Sequence, residues 1–245
     1  HLLTTPTLRL ETDSLNHAIQ ILRQEHHLLE EQAQAITQAC SHSLTIVTGG
    51  PGTGKTYTAD LLVKVFWQLL TEEQKTTYQI VIAAPTGKAA ANLQHSLNRV
   101  LGPMDRFPSI QAKTLHALLG IKHYATTKDP VRLSADLLIV DESSMIDLKM
   151  MALLFESLKP GSRLVLLGDK HQLPAVGAGS VFVDLIDLHN ALSKALYPCV
   201  SLNVCMRAEL KSLIDFAQSI NHGSFDEVLG ILNRSSLQGV KRLHF

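Results

Sequence analysis

The chain has 245 residues, 45% of them hydrophobic, and its 22 basic residues balance its 22 acidic ones. This is enough apolar material for a full core, in one large domain or two small ones, and the composition predicts a soluble globular protein. The zero net charge excludes a global field that would attract a polyanion, so any nucleic-acid contact has to come from a local patch.

Cysteine usage and hydropathy indicate where the protein works. Cys40, Cys199 and Cys205 are odd in number, widely spaced and without a C-x-x-C pair, which argues against a disulfide framework and a structural zinc site. No apolar run approaches the roughly 20 residues needed to cross a bilayer, and no charged-then-apolar leader stands at the start. We therefore expect a cytoplasmic protein with no membrane contact. Because the chain begins at His1, we also expect it to be a fragment of something longer.

Helical and strand-like patterns alternate along the chain. Residues 15–40 contain few helix breakers and carry apolar residues at helical spacing, which predicts one long helix. A short apolar run then leads into glycines and a second helical pattern, and the alternation recurs downstream. The predicted strands are 44–47, 78–84, 137–140, 164–167 and 200–204, and the further predicted helices are 57–70, 88–101, 148–158, 181–188 and 208–221.

This alternation, with strands that are apolar on both faces, implies an α/β fold in which a parallel sheet is covered by helices on both faces. Two polar, breaker-rich stretches, residues 102–109 and 122–130, interrupt the pattern and are predicted as loops or small insertions.

The first strand leads into the phosphate-binding pattern G-x-x-x-x-G-K-T at residues 49–56. Glycines let backbone N–H groups curl around phosphate oxygens, Lys55 would neutralise the β- and γ-phosphates, and the Thr56 hydroxyl would hold Mg²⁺. At the average glycine frequency of about 7%, chance produces this pattern in roughly one chain of this length in a hundred. We therefore predict that the chain binds Mg·ATP. The predicted contacts at the loop are Gly49, Gly50, Pro51, Gly52, Thr53, Gly54, Lys55, Thr56 and Tyr57.

Two acidic residues follow the apolar strand of residues 137–140. Asp141 would hold Mg²⁺ through water, and Glu142 would polarise the attacking water. The alternative is that a helix begins here, because acidic residues are favoured at helix N-termini. After a phosphate loop, the hydrolytic reading is the stronger of the two.

A further predicted strand ends in the loop LLGDKHQLPAVGAGS, and five motifs then stand in order. They are GGPGTGKT (49–56), IAAPTGKAAANL (82–93), KTLHALLG (113–120), LLIVDESSMID (137–147) and LLGDKHQLPAVGAGS (166–180). Together they resemble the superfamily 1 DNA helicases of the RecD-like and TraI-like type, which include the alpha subunit of exodeoxyribonuclease V. The resemblance implies a RecA-like phosphate-loop NTPase domain and ATP-driven 5′-to-3′ movement on single-stranded DNA. It also implies RecB- and RecC-like partner subunits in double-strand-break repair and recombination.

The resemblance assigns further nucleotide contacts. Gln32, in EEQAQAI, stands where the family has the glutamine that reads adenine, and a carboxamide can both donate and accept on the base edge. Gln172, in GDKHQLP, corresponds to the glutamine that senses the γ-phosphate. Arg207 corresponds to an arginine that reaches the γ-phosphate, although Met206 precedes it where the family has an aromatic residue. A solvated helix or loop residue is the alternative for either glutamine. The implied catalytic set is Lys55, Asp141, Glu142, Gln172 and Arg207.

The resemblance also assigns contacts to single-stranded DNA. Pro85, Thr86 and Lys88, in APTGKAA, correspond to a motif that holds the DNA backbone, and Thr114 and His116, in KTLHALLG, correspond to another. A loop that exposes a lysine at a helix N-terminus suits phosphate. The alternatives are capping threonines, a surface lysine and a structural histidine. His26 and His27, adjacent on a predicted helix, are expected to be solvated.

The expected organisation is a helical segment in residues 1–40, a motor domain in residues 41–207 and, in residues 208–245, the start of a connection to a second motor domain. Because that second domain would supply a further arginine, we expect this chain to bind ATP, hydrolyse it slowly and unwind nothing. No carboxylate cluster typical of a nuclease stands out.

Three alternatives remain. One is a stand-alone RecD-like helicase, and another is a nucleotide-dependent scaffold or regulatory subunit. The third, a phosphate-loop kinase, would need an arginine-rich lid and leaves GDKHQLP without a role.

Overall fold

The computed structural model of the chain describes residues 6, 8–101, 110–121, 131–173, 177–192 and 196–206. Within this part of the chain, helices and strands alternate as the sequence predicts. The strands are β1 (Leu44–Gly49), β2 (Ile80–Ala84), β3 (Ala112–Thr114), β4 (Leu137–Val140), β5 (Arg163–Gly168) and β6 (Cys199–Leu202). The helices are α1 (Thr12–His26), α2 (Glu30–Ser41), α3 (Lys55–Leu69), α4 (Glu72–Thr77), α5 (Gly87–Leu101), α6 (Leu115–Leu118), α7 (Leu148–Ser157) and α8 (Val181–Ala191), with a 3₁₀ turn at Ser143–Met145.

The described strands form one six-stranded sheet in the order β3-β2-β4-β5-β1-β6, and every pairing is parallel. Strand β1 lies between β5 and the edge strand β6, with Val47 opposite Leu167 on one side and Val200 on the other. Because all strands point the same way, their carboxyl ends share one edge of the sheet. The loops that carry the predicted motifs leave the sheet at that edge.

Each face of the sheet packs against its own set of helices. In β4, Leu137 and Ile139 contribute to the core shared with α1, α2, α3 and α5, whereas Leu138 and Val140 contribute to the core shared with α6, α7 and α8. Alternate residues of a strand point to opposite faces, so strands covered on both sides need apolar residues throughout. The predicted α/β fold, a parallel sheet covered by helices on both faces, is confirmed.

The prediction of one helix over residues 15–40 is wrong. Helix α1 ends at His26, and His27 adopts a left-handed conformation (φ 49°, ψ 42°) that a continuing helix cannot contain. Helix α2 begins at Glu30 after the buried Leu28, and the Gln32 side chain accepts a hydrogen bond from the Leu29 N–H (3.1 Å). Apolar spacing continues across the turn because both helices pack on the same core.

Among the strands and α-helices, three short ones were not predicted from the sequence: β3, α4 and α6. Helix α4 has a reciprocal cap, in which the Thr71 hydroxyl accepts from the Gln74 N–H (3.2 Å) and the Gln74 side chain accepts from the Thr71 N–H (2.9 Å). This is the T-x-x-Q pattern that marks a helix start, so it could have been found in the sequence. Strands β2 and β6 are shorter than predicted. The predicted loops 102–109 and 122–130 and the predicted helix 208–221 lie outside the described residues.

None of the helices in the described ranges is long and apolar enough to cross a bilayer.

Candidate nucleotide and nucleic-acid site

The phosphate loop joins β1 to α3 at the carboxyl edge of the sheet. Gly52 (φ 79°) and Gly54 (φ 86°) adopt left-handed conformations that favour glycine. The Thr53 hydroxyl donates to the Gly50 carbonyl (2.9 Å), which closes the turn. The fifteen-residue helix α3 then begins at Lys55, so its N-terminus faces the loop. Backbone N–H groups and the helix dipole at such an N-terminus favour an anion, so this end of α3 suits a phosphate group.

The Lys55 ammonium lies inside the phosphate loop. Its ammonium donates to the carbonyl of Gly49 (2.6 Å) and to that of Gly50 (3.1 Å), and the residue is only 9% exposed. A buried ammonium that is bonded to neutral carbonyls is available to a phosphate, which would be a stronger partner.

Thr56 and Asp141 stand together although 85 positions separate them in the chain. The Thr56 hydroxyl donates to Asp141 Oδ2 (2.8 Å), and Asp141 Oδ1 accepts from the Glu142 N–H (2.8 Å). Strand β4 brings Asp141 to this position because its carboxyl end lies at the same edge of the sheet as the phosphate loop. A hydroxyl and a carboxylate in contact are the hard oxygen donors that Mg²⁺ prefers, so these residues fit that ion.

Glu142 is held in an unusual backbone and electrostatic environment. Its backbone is left-handed (φ 54°, ψ 38°), which is costly for a residue with a side chain. Its Oε2 atom is buried and has no hydrogen-bond partner among the described residues. Burial and the negative charge of Asp141 raise the pKa of Glu142, while the charge of Lys55 and a hydrogen bond from the Gln172 side chain oppose the rise. An orphaned carboxylate oxygen with a raised pKa is typical of a general base.

Gln172 faces this carboxylate from the turn that follows β5. Its side-chain oxygen accepts from the Ser144 hydroxyl (3.3 Å), and its backbone N–H donates to the Asp169 carbonyl (3.2 Å). Asp169 also caps the turn by accepting from the His171 N–H (2.9 Å). Gln172 is therefore anchored in the site and is not simply a solvated loop residue. Ser144 was not singled out from the sequence, although it belongs to the quoted motif LLIVDESSMID.

A cavity of about 330 Å³ joins these groups to two of the residues predicted to contact DNA. Its lining brings the metal and base candidates Thr56, Asp141 and Glu142 together with Thr86 and Lys88. The other lining residues are Ala89, Asn92, Leu93, Met145 and Gln172.

Gln32 lies next to Gly54 of the phosphate loop. It is 1% exposed, and its side-chain nitrogen Nε2 is buried without a partner among the described residues. A Cβ atom added at Gly54 would stand 2.7 Å from that nitrogen, so Gln32 abuts the end of the loop. Gln32 is thus not a solvated helix residue. Its amide has an unused donor beside the phosphate loop, as a base-reading group requires.

Tyr57 points its hydroxyl toward α1 and not into the loop. The hydroxyl bonds His26 Nδ1 (2.8 Å), and His26 Nε2 bonds the Lys64 ammonium (2.9 Å). Because an ammonium can only donate, His26 Nε2 is the acceptor and Nδ1 carries the proton. Burial lowers the pKa of His26, as does the charge of Lys64. The expectation that His26 is solvated is therefore wrong, whereas His27 is exposed as expected.

The residues predicted to contact DNA lie at the ends of neighbouring strands. Ala84, the last residue of β2, pairs with Thr114, so the segment that contains Pro85 and Thr86 lies beside the segment that contains His116. Lys88 and His116 are exposed. The two threonines are helix caps: Thr86 Oγ1 accepts from the Ala89 N–H and Thr114 Oγ1 from the Ala117 N–H, both at 3.2 Å.

Arg207 lies outside the described residues. Met206, immediately before it, is half exposed and donates its N–H to the carbonyl of Gly52 (2.9 Å). Two further residues with polar contacts were not singled out from the sequence: Glu31, which accepts from the N–H groups of Asn203 and Val204, and Asp60, a buried acid of α3. Glu31 is only distinguished by preceding Gln32, and nothing in the pattern around Asp60 marks it.

Comparison with known proteins shows which sequences and folds the chain is similar to. A family model described as an AAA domain matches residues 27–241. The chain is 38% identical over 223 residues to the RecD subunit of the RecBCD enzyme from Mycobacterium tuberculosis, covering 88% of this chain and 38% of that protein. It is 41% identical over 167 residues to the RecD subunit from Haemophilus influenzae, covering 63% and 26%. It is 35% identical over 202 residues to the ATP-dependent RecD2 DNA helicase of Deinococcus radiodurans, covering 80% and 24%.

These shares mean that the chain spans less than two fifths of the length of these relatives. Among solved structures, the fold is similar to a Pif1 helicase from Bacteroides, with a TM-score of 0.52, 24% identity and coverage of 84% of this chain and 48% of that one. It is similar as well to Pif1 helicase from Candida albicans, with a TM-score of 0.51, 21% identity and coverage of 80% and 43%. At such identities the likeness establishes the RecA-like fold alone. The chain belongs to the AAA domain family, and its sequence relatives make it a RecD-like member of superfamily 1.

Proposed function

We propose that the chain is a motor unit of a DNA helicase, which couples ATP hydrolysis to 5′-to-3′ movement along single-stranded DNA. The observation that carries this proposal is the cavity in which Thr56, Asp141 and Glu142 meet Thr86 and Lys88. A single space thus adjoins the residues suited to hydrolysis and the residues suited to the DNA backbone. The similarity to the RecD subunit of the RecBCD enzyme and to the ATP-dependent RecD2 DNA helicase supports the same activity.

Nucleotide binding falls to the phosphate loop and Gln32. Backbone N–H groups of residues 49–56 surround the phosphates, and Lys55 exchanges its two carbonyl partners for phosphate oxygens. The unpartnered amide nitrogen of Gln32 reads the base edge. Thr56 and Asp141 would hold Mg²⁺, which when bound would neutralise charge on the β- and γ-phosphates.

Hydrolysis falls to Glu142 and Gln172. Glu142 positions the attacking water and takes its proton, a role that its raised pKa suits because proton affinity strengthens a base. Gln172 contacts the same carboxylate and Ser144, so it is placed to report the state of the γ-phosphate. Arg207 is proposed to stabilise the charge of the transition state.

DNA binding falls to Pro85, Thr86 and Lys88 with Thr114 and His116. The N-terminus of the fifteen-residue helix α5 and the exposed ammonium of Lys88 attract the phosphates of a single strand. Because Lys88 also lines the hydrolytic cavity, a shift of α5 on nucleotide turnover would move a DNA contact directly.

The proposed organisation keeps residues 1–40 as a helical segment, 41–207 as the motor domain and 208–245 as the start of a connection to a second motor domain. The chain would then work in an assembly with RecB- and RecC-like subunits, because several relatives are RecD subunits of the RecBCD enzyme. This assembly would act in DNA repair and recombination in the cytoplasm. A second candidate, a helicase that needs no partners, is favoured by the RecD2 relative. A purely regulatory subunit would not need residues suited to hydrolysis, and this chain has Lys55, Asp141, Glu142 and Gln172.

The test is binding and hydrolysis of Mg·ATP by this chain with and without single-stranded DNA, with Lys55→Ala as control. We expect ATP binding that is lost in the variant, slow hydrolysis that DNA accelerates, and no strand separation. Absence of ATP binding by the wild-type chain would overturn the proposal, and hydrolysis insensitive to DNA would overturn its motor part.

A further inference from the structure

Four residues after β6 cross the phosphate loop. Strand β6 ends at Leu202, which pairs with Gly49, the first residue of the loop. Residues 203–206, here called the strap, continue from that edge. At the far end of the strap, the Met206 N–H donates to the Gly52 carbonyl (2.9 Å). The strap is therefore tied to the phosphate loop itself.

The near end of the strap is held by one carboxylate oxygen. Glu31 Oε1 accepts from the N–H of Asn203 and from the N–H of Val204, each at 2.8 Å. Glu31 Oε2 also lies 3.5 Å from the side-chain amide of Asn203. Hydrogen bonds to an ionised acceptor are roughly twice as strong as neutral ones.

Two apolar side chains of the strap are half exposed to solvent. Val204 is 48% exposed and Met206 is 52% exposed, so their side chains gain little from packing. The carboxylate of Glu31 and the carbonyl of Gly52 accept main-chain hydrogen bonds from three of the four strap residues, Asn203, Val204 and Met206. Removal of the carboxylate would free the near end of the strap.

The strap converges with Gln32 on the end of the loop. A Cβ atom placed at Gly54 would lie 2.7 Å from Gln32 Nε2 and 3.9 Å from Met206 Cγ. Glu31 and Gln32 are consecutive in the first turn of α2, so one segment both holds the strap and presents the buried amide. These groups surround a single place beside the phosphate loop.

We propose that Glu31 is a positioning residue, which clips the strap over the nucleotide site so that Met206 and Gln32 flank the base of a bound nucleoside triphosphate. This inference rests on the proposed nucleotide-binding function and adds a residue that sets affinity for the base. Glu31 touches the strap and not the nucleotide, so it acts through the position of the strap alone.

The experiment compares Glu31→Ala, Glu31→Gln and Glu30→Ala with the wild-type chain. Glu30 is the matched control, because it is the neighbouring acid in the first turn of α2 and its side chain is 79% exposed, paired only with Arg23 (2.6 Å) among the ion pairs of the described residues. Its removal reproduces the loss of a helix N-terminal charge without touching the strap. Glu31→Gln keeps an oxygen acceptor for the two strap amides.

Three quantities are measured: the dissociation constant of Mg·ATP, the dissociation constant of Mg·tripolyphosphate, and amide hydrogen exchange of peptides that cover residues 201–206. For Glu31→Ala we expect ATP binding weakened on the order of 10-fold, tripolyphosphate binding changed less than about 3-fold, and faster exchange in the strap. Glu30→Ala is expected to stay close to wild type in all three measurements, and Glu31→Gln is expected to lie between wild type and Glu31→Ala because its neutral acceptor binds the strap more weakly. Only loss of a base contact would separate ATP from tripolyphosphate, because general damage would weaken both.

The inference is overturned if Glu31→Ala matches Glu30→Ala, if ATP and tripolyphosphate weaken equally, or if strap exchange is unchanged. These outcomes differ from failure of the proposed function, in which the wild-type chain itself would bind no ATP and the role of Glu31 would fall with it.

Discussion

Gly54 shows how much one residue constrains the phosphate loop. Its φ of 86° is costly for any residue with a side chain, and a Cβ there would collide with Gln32 Nε2 at 2.7 Å. Gly50, in the same loop, has open space around the position of a Cβ. The two glycines therefore offer a matched comparison.

We expect Gly54→Ala to lower the free energy of unfolding by about 1–3 kcal/mol, from backbone strain plus displacement of Gln32. Gly50→Ala should change it by less than about 1 kcal/mol, and in the stabilising direction, since alanine restricts the unfolded chain. Urea unfolding of both variants measures the difference. Equal stabilities would show that the loop relaxes freely around a side chain at position 54.

Glu142 is the residue whose ionisation should govern turnover. Burial, followed by the charge of Asp141, raises its pKa, and a general base works only when deprotonated. As pH falls through this raised pKa, kcat for ATP should fall, at a higher pH than an ordinary carboxyl would produce.

Glu142→Gln should lower kcat by roughly 100-fold or more and leave the dissociation constant of Mg·ATP within about 3-fold, because the carboxamide cannot take a proton. The acid limb of the pH profile should vanish in the residual activity. Steady-state kinetics across the pH range check both statements, and an unchanged kcat would remove Glu142 from the mechanism.

At the scale of elements, the buried acid Asp60 joins helix α3, which begins at the phosphate loop, to helix α5, which begins after Thr86. Asp60 of α3 is 1% exposed and accepts a hydrogen bond from the Ser96 hydroxyl of α5. Burial, opposed by the Ser96 bond, raises the pKa of Asp60 from 3.8 to about 7. The two helices that carry the nucleotide and DNA residues thus share a titratable contact.

An acid whose pKa is raised on folding holds more protons in the folded state than in the unfolded state between its two pKa values. Stability therefore falls as pH rises from 3.8 to about 7, and the loss is complete above that window. At about 1.4 kcal/mol per pKa unit, the upper limit of the loss is roughly 4 kcal/mol. Asp60→Asn, which keeps an acceptor for Ser96 and carries no charge, should match wild type at low pH and exceed its stability above neutrality.

Urea unfolding at acidic, neutral and basic pH tests this expectation. Ser96→Ala provides the opposite change, because losing a bond that favours the charged form should extend the loss of stability to higher pH. Parallel pH profiles for Asp60→Asn and wild type would mean that Asp60 is not the group responsible.

At the scale of the whole molecule, Arg163 ties distant parts of the chain to the sheet. This first residue of β5 is 2% exposed, and its guanidinium donates to the carbonyls of Leu8 and Cys40. It also lies 5.0 Å from the centroid of the Phe66 ring, within the range of a cation–π contact. The N-terminal segment, α2 and α3 thus meet one buried cation.

Arg163→Met should cost about 2 kcal/mol of unfolding free energy, because two buried carbonyls lose their donor. Burial raises the pKa of the Cys40 thiol to about 12, so Cys40 should resist alkylation in the native wild-type chain. Urea unfolding and the rate of Cys40 alkylation measure the two effects. Alkylation should be faster in the variant because the less stable fold opens more often, although loss of the Arg163 charge by itself raises the thiol pKa further. Unchanged stability would mean that the surrounding apolar groups compensate for the lost donor, as they do at some buried ionic sites.

Much of the fold followed from local patterns. Strand β4 has the predicted bounds because four consecutive apolar residues before Asp141 are typical of a strand covered on both faces. Boundaries were missed where local packing decided them. The break at His27 depends on where Leu28 is buried, and the three-residue strand β3 exists because β2 pairs with it.

The sequence by itself determined the chemistry that lies close together in the chain: the phosphate loop, the Asp141–Glu142 pair, and the order of strands and helices along the chain. These features follow from local spacing. The phosphate loop forms once β1 and α3 form on either side of it, and Asp141 and Glu142 stand at the end of β4 once that strand forms. The roles assigned to individual residues stay predictions. Only the tertiary structure decided which remote groups meet, as at Glu31 and the strap, 172 positions apart, or Asp60 and Ser96, 36 apart. Such contacts depend on which strands become neighbours and how helices pack across them, and that spatial order is set by burial of the whole core.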